Sequence, residues 1–232
     1  MIHLVCPIDR LPLDDNLRCG KGHSYSRRDG TIDFIIGDVK DNDLLDKVAP
    51  LYEDIWAPLG FVITARTTYS SVLKEAALFT SGDQFLDVGT GPGKIFDYVR
   101  CNECYGLDIS FKFLRILRRK RPSVVGVRAD ARSLPFPDEV FSGVSSMFVL
   151  HMLDDPGKAI SEISRVMKGD GKCALGLLTK SGFLSNLLSR WWKIDLKTEV
   201  FYTGLLEREG LEIVRTKRLG IWSIIMCRKA KA

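Results

Sequence analysis

The chain has 232 residues, 45% of them hydrophobic and 27% charged, with a formal net charge of +5. That composition excludes a disordered polymer, and no apolar run reaches the roughly 20 residues that a membrane-spanning helix requires. Six cysteines, with no basic-then-apolar leader at Met1-Ile2-His3-Leu4, point to reduced thiols or metal ligands in a cytoplasmic protein rather than to a disulfide framework. The excess of Lys and Arg permits an anionic partner such as RNA without requiring one. A single glutamine, Gln84, is a faint thermophile-like feature of the composition.

Residues 1–38 crowd turn formers between short β-like runs: Cys6-Pro7, Asp14-Asp15-Asn16, Cys19-Gly20-Lys21-Gly22-His23 and Asp29-Gly30. The pattern predicts a small hairpin module with too few apolar residues for a core of its own, so a metal or docking to the remaining chain must hold it. Cys6-x-x-Asp9 followed by Cys19-x-x-x-His23 has nearly the spacing of a zinc knuckle, with Asp where the second Cys usually stands. Zinc accepts carboxylate oxygen, so Cys6, Asp9, Cys19 and His23 are candidate zinc ligands. The alternative is a ribbon held by apolar docking alone.

Residues 39–80 carry apolar side chains at helical spacing (Leu44, Leu45, Val48, Leu51, Tyr52, Ile55), punctuated by Pro50 and Pro58. Two or three helices are predicted there, a linker or a lid that presents Tyr52, Trp56, Arg66 and Tyr69. From residue 81 to 232, strand-like and helical runs alternate. Strands are predicted at 85–88, 105–108, 124–128, 140–150, 172–178, 211–216 and 221–228, with helices from Lys94, from Phe111 and over 159–167. Such alternation is the mark of βαβ units wound into an α/β parallel sheet. The basic run from Lys112 to Arg121 falls on a helix whose apolar face is Phe113, Leu114, Ile116 and Leu117, which reads as a solvated outer face before it reads as a nucleic-acid contact.

The segment Leu86-Asp87-Val88-Gly89-Thr90-Gly91-Pro92-Gly93-Lys94 stands where the first strand of that series hands over to a helix. Alternate glycines let a backbone turn sharply and approach a ligand that a Cβ would repel. A dinucleotide fingerprint would need glycine at 94, and a phosphate-cradling P-loop would need glycine at 88 with Ser or Thr at 95. The chain has Lys94, Val88 and Ile95, so both phosphate readings fail on spacing. Asp87 also suits a cationic amino-acid moiety better than a pyrophosphate, which it would repel. Asp108 ends the next strand, where one carboxylate can accept from two adjacent ribose hydroxyls. Asp130 follows the strand after that, and in a doubly wound sheet the three acids converge on one crevice.

Taken in order, Leu86 to Lys94, Gly106-Leu107-Asp108-Ile109-Ser110, Asp130-Ala131-x-x-Leu134-Pro135-Phe136, Val149-Leu150-His151 and Glu162-x-x-Arg165-Val166-x-Lys168-x-x-Gly171 resemble the successive motifs of class I S-adenosylmethionine (SAM)-dependent methyltransferases of the type 11 kind. The resemblance implies a Rossmann-like seven-stranded sheet whose last strand is antiparallel. It also implies a SAM site in which Asp87, Gly89, Thr90, Gly91 and Gly93 surround the methionine part, Asp108 and Ile109 hold the ribose, and Asp130 with Ala131 meets the adenine. Ser146, within the fourth strand, is a further candidate contact to the adenosyl group. The N-terminal segment, closing with Tyr25 and Asp29-Gly30-Thr31-Ile32, resembles the zinc module of bacterial rRNA guanine-N1 methyltransferases.

Methyl transfer from a sulfonium needs no protein nucleophile, so proximity does most of the work and a base helps only where the acceptor must lose a proton. His151, at the end of the fourth strand, is the candidate base. The alternative is a structural histidine bonded near Asp154 or Asp155. The expected activity is methyl transfer to RNA, on the strength of the zinc-like module and the basic balance. A quinone-like or otherwise lipophilic small molecule is the other acceptor class, suggested by residues 149–151 and the apolar stretch 183–192. A non-catalytic scaffold that keeps the nucleotide fold is the reading from outside enzymology.

Overall fold

A computed structural model of the chain describes residues 2–37, 51–182 and 195–230, with positions 185, 187, 189 and 190. The predicted helical positions Leu44, Leu45 and Val48 and most of the stretch 183–192 lie outside the described residues, as does the side chain of Tyr52.

Among the described residues, nine strands form one sheet. β1 (Ser26–Arg28) and β2 (Thr31–Asp33) come from the N-terminal segment. Then follow β3 (Gln84–Val88), β4 (Glu103–Asp108), β5 (Val125–Arg128), β6 (Phe141–Met147), β7 (Met167–Leu178), β8 (Leu211–Leu219) and β9 (Trp222–Lys229). Their order across the sheet is β1-β2-β5-β4-β3-β6-β7-β9-β8. β3 to β7 pair in parallel, and β9 enters between β7 and β8 antiparallel to both. The expected seven-stranded core with an antiparallel last strand is therefore present. The sheet is larger than expected at its other edge, where β2 pairs in parallel with β5 through Ile32↔Val127 and Asp33↔Arg128. An edge strand leaves a row of N–H and C=O groups unpaired, and here the N-terminal hairpin covers them.

The N-terminal segment docks as its low apolar content requires. Cys6, Leu17, Cys19, Tyr25, Ile32 and Phe34 share a single buried cluster with Leu86, Val127, Leu134 and Phe136. Among the described residues, the helices that flank the sheet include α1 (Ala57–Ala65), α2 (Tyr69–Thr80), α3 (Phe111–Lys120), α4 (Pro156–Val166) and α5 (Glu199–Arg208). Ser110 caps α3, accepting from the N–H of Phe113, and the four expected side chains Phe113, Leu114, Ile116 and Leu117 are the buried ones. Each is worth roughly 1.5–3 kcal/mol relative to exposure. Its basic residues act as struts, with Arg115 on Asp29, Arg118 on the Gly30 carbonyl, and both Lys120 and Arg121 on the buried Glu53.

Two expectations are corrected. The helix predicted from Lys94 is only a 3-10 turn, Lys94–Asp97. Arg121 donates to the Pro92 carbonyl and to both oxygens of Asp97, so the polar groups of this short connection are satisfied without a longer helix. The cysteines expected to stay reduced form two disulfides, Cys101–Cys104 and Cys173–Cys227, with Cα separations of 5.7 and 5.1 Å. Cys173 and Cys227 face each other in the β7–β9 register, a proximity made by strand pairing that sequence spacing cannot reveal. Cys6 and Cys19 alone remain thiols.

Candidate active site

The glycine bend runs from the tip of β3. Gly89, Gly91 and Gly93 take φ of 72°, 54° and 86°, all in the left-handed region that glycine alone enters without strain. A Cβ at Gly89 would come within 2.3 Å of Val149, and one at Gly93 within 2.1 Å of Leu117, whereas one at Gly91 would meet nothing within 4 Å. Glycine is therefore demanded by packing at 89 and 93, while at 91 the bend borders open space. Thr90 closes the bend with a buried hydroxyl beside the Asp87 carboxylate.

Asp108, at the tip of β4, is buried and turned toward that bend. Its Oδ2 accepts from the N–H of Gly91 at 2.7 Å and its Oδ1 from the N–H of Ser110 at 2.9 Å. Carboxylate oxygens carry more than one lone pair each, so these bonds orient the group while leaving acceptor capacity for hydroxyls. Beside it Ile109 is 43% exposed, an apolar side chain held at the mouth of the crevice. Asp87 lies beneath the bend. Burial pushes its carboxyl up to about 6, with the charge of Asp108 adding to the rise and the hydroxyl of Ser145, which donates to Asp87, opposing it. A cationic ligand over this acid would reverse the penalty. Open space at Gly91 and a carboxylate bound to the bend fit the methionine and ribose parts of SAM.

Asp130 lies further round the crevice and is bound in a fork by Arg132, whose Nη2 is 2.7 Å from Oδ2. Its side chain stands less free for an adenine amino group than the sequence implied, while the adjacent Ala131 is buried at the same turn. Ser146 is fully buried and donates to the Val88 carbonyl at 3.0 Å, stitching β6 to β3. His151 lies in a 3-10 turn, Leu150–Met152, just past β6. It is 5% exposed, packs edge-on against Trp222, and accepts at Nδ1 from the N–H of Leu178 at 3.3 Å. Its partner is thus a strand amide and not Asp154 or Asp155. Burial holds its pKa down to about 3, so the imidazole is neutral.

Sequence reasoning missed Phe148, Arg121 and Glu53. Phe148 takes φ 68° and joins Phe61 and Trp222 in an aromatic cluster with ring centroids 4.7 to 5.1 Å apart, which seats α1 on the sheet. Trp222 also donates to Thr64 of α1 at 2.8 Å. No local signal marks a left-handed phenylalanine. The pairing of Glu53 with Lys120 and Arg121, so far along the chain, is equally hidden.

In the N-terminal segment, Cys6, Asp9, Cys19 and His23 present donor atoms that all lie within 4.8 Å of one another. His23 Nδ1 is 3.5 Å from Cys6 Sγ, 3.3 Å from Cys19 Sγ and 3.1 Å from Asp9 Oδ2, and Cys19 Sγ is 3.3 Å from Asp9 Oδ2. Tetrahedral zinc, with bonds of about 2.0–2.3 Å, spaces its ligand atoms by about 3.3–3.8 Å, so the cluster has close to the required size.

A parallel core with an antiparallel last strand, a glycine bend at the tip of β3 and an acid at the tip of β4 together make a Rossmann-like fold with a ligand crevice at its strand tips. In agreement, residues 86–175 match the family model described as "Methyltransferase domain". The chain is 32% identical over 131 residues to the demethylmenaquinone methyltransferase of Renibacterium salmoninarum, covering 56% of this chain and 54% of that protein. It is 32% identical over 129 residues to the malonyl-[acyl-carrier protein] O-methyltransferase of Enterobacter lignolyticus, covering 55% and 50%. The chain thus spans about half the length of the curated relatives it matches. Among solved structures, it superposes with a TM-score of 0.67 at 18% identity on a chain from the complex between the Haloferax volcanii Trm112 methyltransferase activator and a methyltransferase, covering 83% of this chain and all of that one.

Proposed function

We propose that this protein transfers the methyl group of SAM to a lipophilic small molecule with a nucleophilic, quinol-like centre. The observation that carries the cofactor half is the Asp108 carboxylate, fixed by the Gly91 N–H at the edge of an open glycine bend. When bound, SAM supplies an electrophilic methyl on sulfur. The chain's part is to hold it: Asp87 beneath the ammonium, Asp108 at the ribose, Ile109 and Ala131 against the adenine. Held there, the sulfonium would offer its methyl to the acceptor's electron pair and would be left as a thioether, and the acceptor's proton would pass to solvent, since no charged base among the described residues of this chain faces it. His151, neutral and enclosed, helps by shaping the wall and not by carrying charge.

Two observations favour the lipophilic acceptor. One is that α1, tied to the aromatic cluster beside the crevice, leaves Leu59, Val62 and Ile63 exposed at 52%, 57% and 68%. The other is the demethylmenaquinone methyltransferase among the relatives. RNA is the weaker reading because Arg115, Arg118, Lys120 and Arg121 are spent on intramolecular partners. We propose in addition that zinc occupies Cys6, Asp9, Cys19 and His23, where it would supply structural closure.

Calorimetry with SAM and S-adenosylhomocysteine tests the first half, and absence of heat from both would favour the scaffold reading. For the acceptor, tritiated SAM is offered to a cellular lipid extract and to fractionated RNA. Label in the organic phase supports the proposal, and label confined to RNA overturns it.

A further inference from the structure

We propose that Arg10 is a positioning residue for the cofactor's adenine loop, and that closure of the Cys6–Asp9 knuckle around a metal ion tightens SAM binding through it. The inference rests on the cofactor reading above and adds to it a route from the N-terminal module to the crevice.

The module does not merely lean on the sheet; it grips the segment that follows Asp130 and Ala131. Ser133 Oγ donates to the Pro7 carbonyl at 2.6 Å, and Val5 N–H donates to the Pro135 carbonyl at 3.1 Å. Arg10 Nη1 donates to the Leu134 carbonyl at 2.7 Å, while its Nη2 lies 2.6 Å from Glu162 Oε2. That same oxygen accepts from the N–H of Leu134 at 2.7 Å. From the other side, Arg165 of α4 reaches the Leu134 carbonyl at 3.1 Å and Glu162 at 2.8 Å. Residues 133–135 are thus held between two guanidiniums around one buried carboxylate, and Ser133 N–H donates to the Asp130 carbonyl at 3.0 Å. A displacement at Ser133 or Leu134 is therefore passed directly to the turn that faces the adenine.

Arg10 depends on the knuckle. Its φ is 64°, a left-handed conformation that costs a residue with a side chain free energy unless its surroundings impose it. They do so here through the ligand residues themselves. The N–H of Arg10 donates to the Cys6 carbonyl at 2.9 Å, and Asp9 Oδ1 accepts from the N–H of Leu11 at 3.1 Å while Oδ2 points into the donor cluster. Fixing Cys6 Sγ and Asp9 Oδ2 on one ion fixes the turn, and the turn aims the guanidinium. Opening the knuckle releases Arg10 and leaves Arg165 alone on the loop.

The test is a thermodynamic cycle on the full chain, read as the dissociation constant of SAM by calorimetry. Zinc-loaded wild type, chelated wild type, zinc-loaded Arg10→Ala and chelated Arg10→Ala are compared. Chelation and Arg10→Ala are each expected to weaken SAM by about tenfold, within the usual range of coupling between sites. The two together should weaken it by no more than about tenfold, because both remove the same contact. A merely destabilising change would instead give effects that multiply. Arg10→Lys, which restores charge near Glu162 but not the fork, should recover part of the loss. Ser133→Ala leaves every metal-ligating atom untouched and should still weaken SAM a few-fold, about the value of the one neutral hydrogen bond to Pro7 that it removes. Wild type that binds SAM equally with and without zinc, multiplying effects, or a chain that takes up no zinc overturns the proposal. Absence of SAM heat from every form would instead strike the cofactor reading itself.

Discussion

The two polar clusters of this molecule are held in opposite ways. At the cofactor crevice, the carboxylate of Asp108 is oriented by backbone N–H groups of Gly91 and Ser110, so its geometry is complete in the protein alone. At the module, Cys6, Asp9, Cys19 and His23 bring thiols, a carboxylate and an imidazole to within 4.8 Å of one another, chiefly by mutual contact. Donors of that kind satisfy each other poorly and become strong ligands once deprotonated. The contrast teaches where each site's stability resides: the crevice is prepared by the fold, whereas the module, on the zinc proposal, is finished by the ion it binds.

Removing metal is accordingly expected to have the largest effect. At a free zinc level about 1,000 times its dissociation constant, binding stabilises the fold by about 4 kcal/mol. The urea midpoint of the zinc-loaded chain should fall on chelation, and His23→Ala should abolish the response. An unchanged midpoint would break the comparison, since the module would then be as self-sufficient as the crevice. Asp108→Asn should come next, acting on binding more than on folding. Losing the charge proposed to accept from the ribose should cost about 2–3 kcal/mol, or roughly 30- to 150-fold in SAM affinity, with little change in the urea midpoint. A large fall in stability with intact SAM binding would show that the carboxylate serves the bend alone.

Legibility in the sequence divides along the same line. The order of strands, the glycine bend, the tip position of Asp108 and the buried face of α3 were readable because each follows from period, spacing or turn chemistry within a few residues. The candidate ligands Cys6, Asp9, Cys19 and His23 were readable for the same reason and do converge. What stayed hidden depends on partners distant in the chain. Cys173 meets Cys227 only through the β7–β9 register, and β2 extends the sheet only because β5 is left at an edge. The missing helix after Gly93 was misread because Lys94 to Tyr98 carries helical spacing, while the restraint from Arg121 comes from another element. Asp130 read as a free adenine contact, and only coordinates reveal the fork from Arg132.

Asp87 sharpens the idea that the crevice is prepared in advance, because preparing it has a cost. Burial raises its pKa from 3.8 to about 6, so the folded chain binds a proton more readily there than the unfolded chain does. The sign follows: the destabilisation is fully present above about pH 6 and vanishes below the ordinary carboxylate value. Asp87→Asn keeps an acceptor for Ser145 and removes the charge, so it should stabilise the free protein by about 1–2 kcal/mol at pH 7.5 while weakening SAM binding. The gain should shrink toward zero at pH 4. A destabilised variant at pH 7.5 would mean that Asp87 finds in the fold a compensation that the crevice geometry does not account for.

The smallest expected effect concerns His151, on the wall between the crevice and the aromatic cluster. Its pKa is held down to about 3 by burial, against an ordinary value of 6.5, so the unfolded chain binds the proton more readily than the folded one. Its neutral form therefore contributes no penalty above about pH 6.5, and the fold loses stability as pH falls from there toward 3. His151→Gln keeps an acceptor for the Leu178 N–H but packs less well against Trp222, so it should cost about 1 kcal/mol at pH 7.5. Because glutamine does not titrate, the gap between variant and wild type should narrow on acidification and close near pH 5.5. Urea midpoints at half-unit steps from pH 7.5 to 5 would follow it. A gap of constant size would mean that the imidazole reaches water or an anion when protonated, and would return His151 to the crevice as a group able to take up a proton.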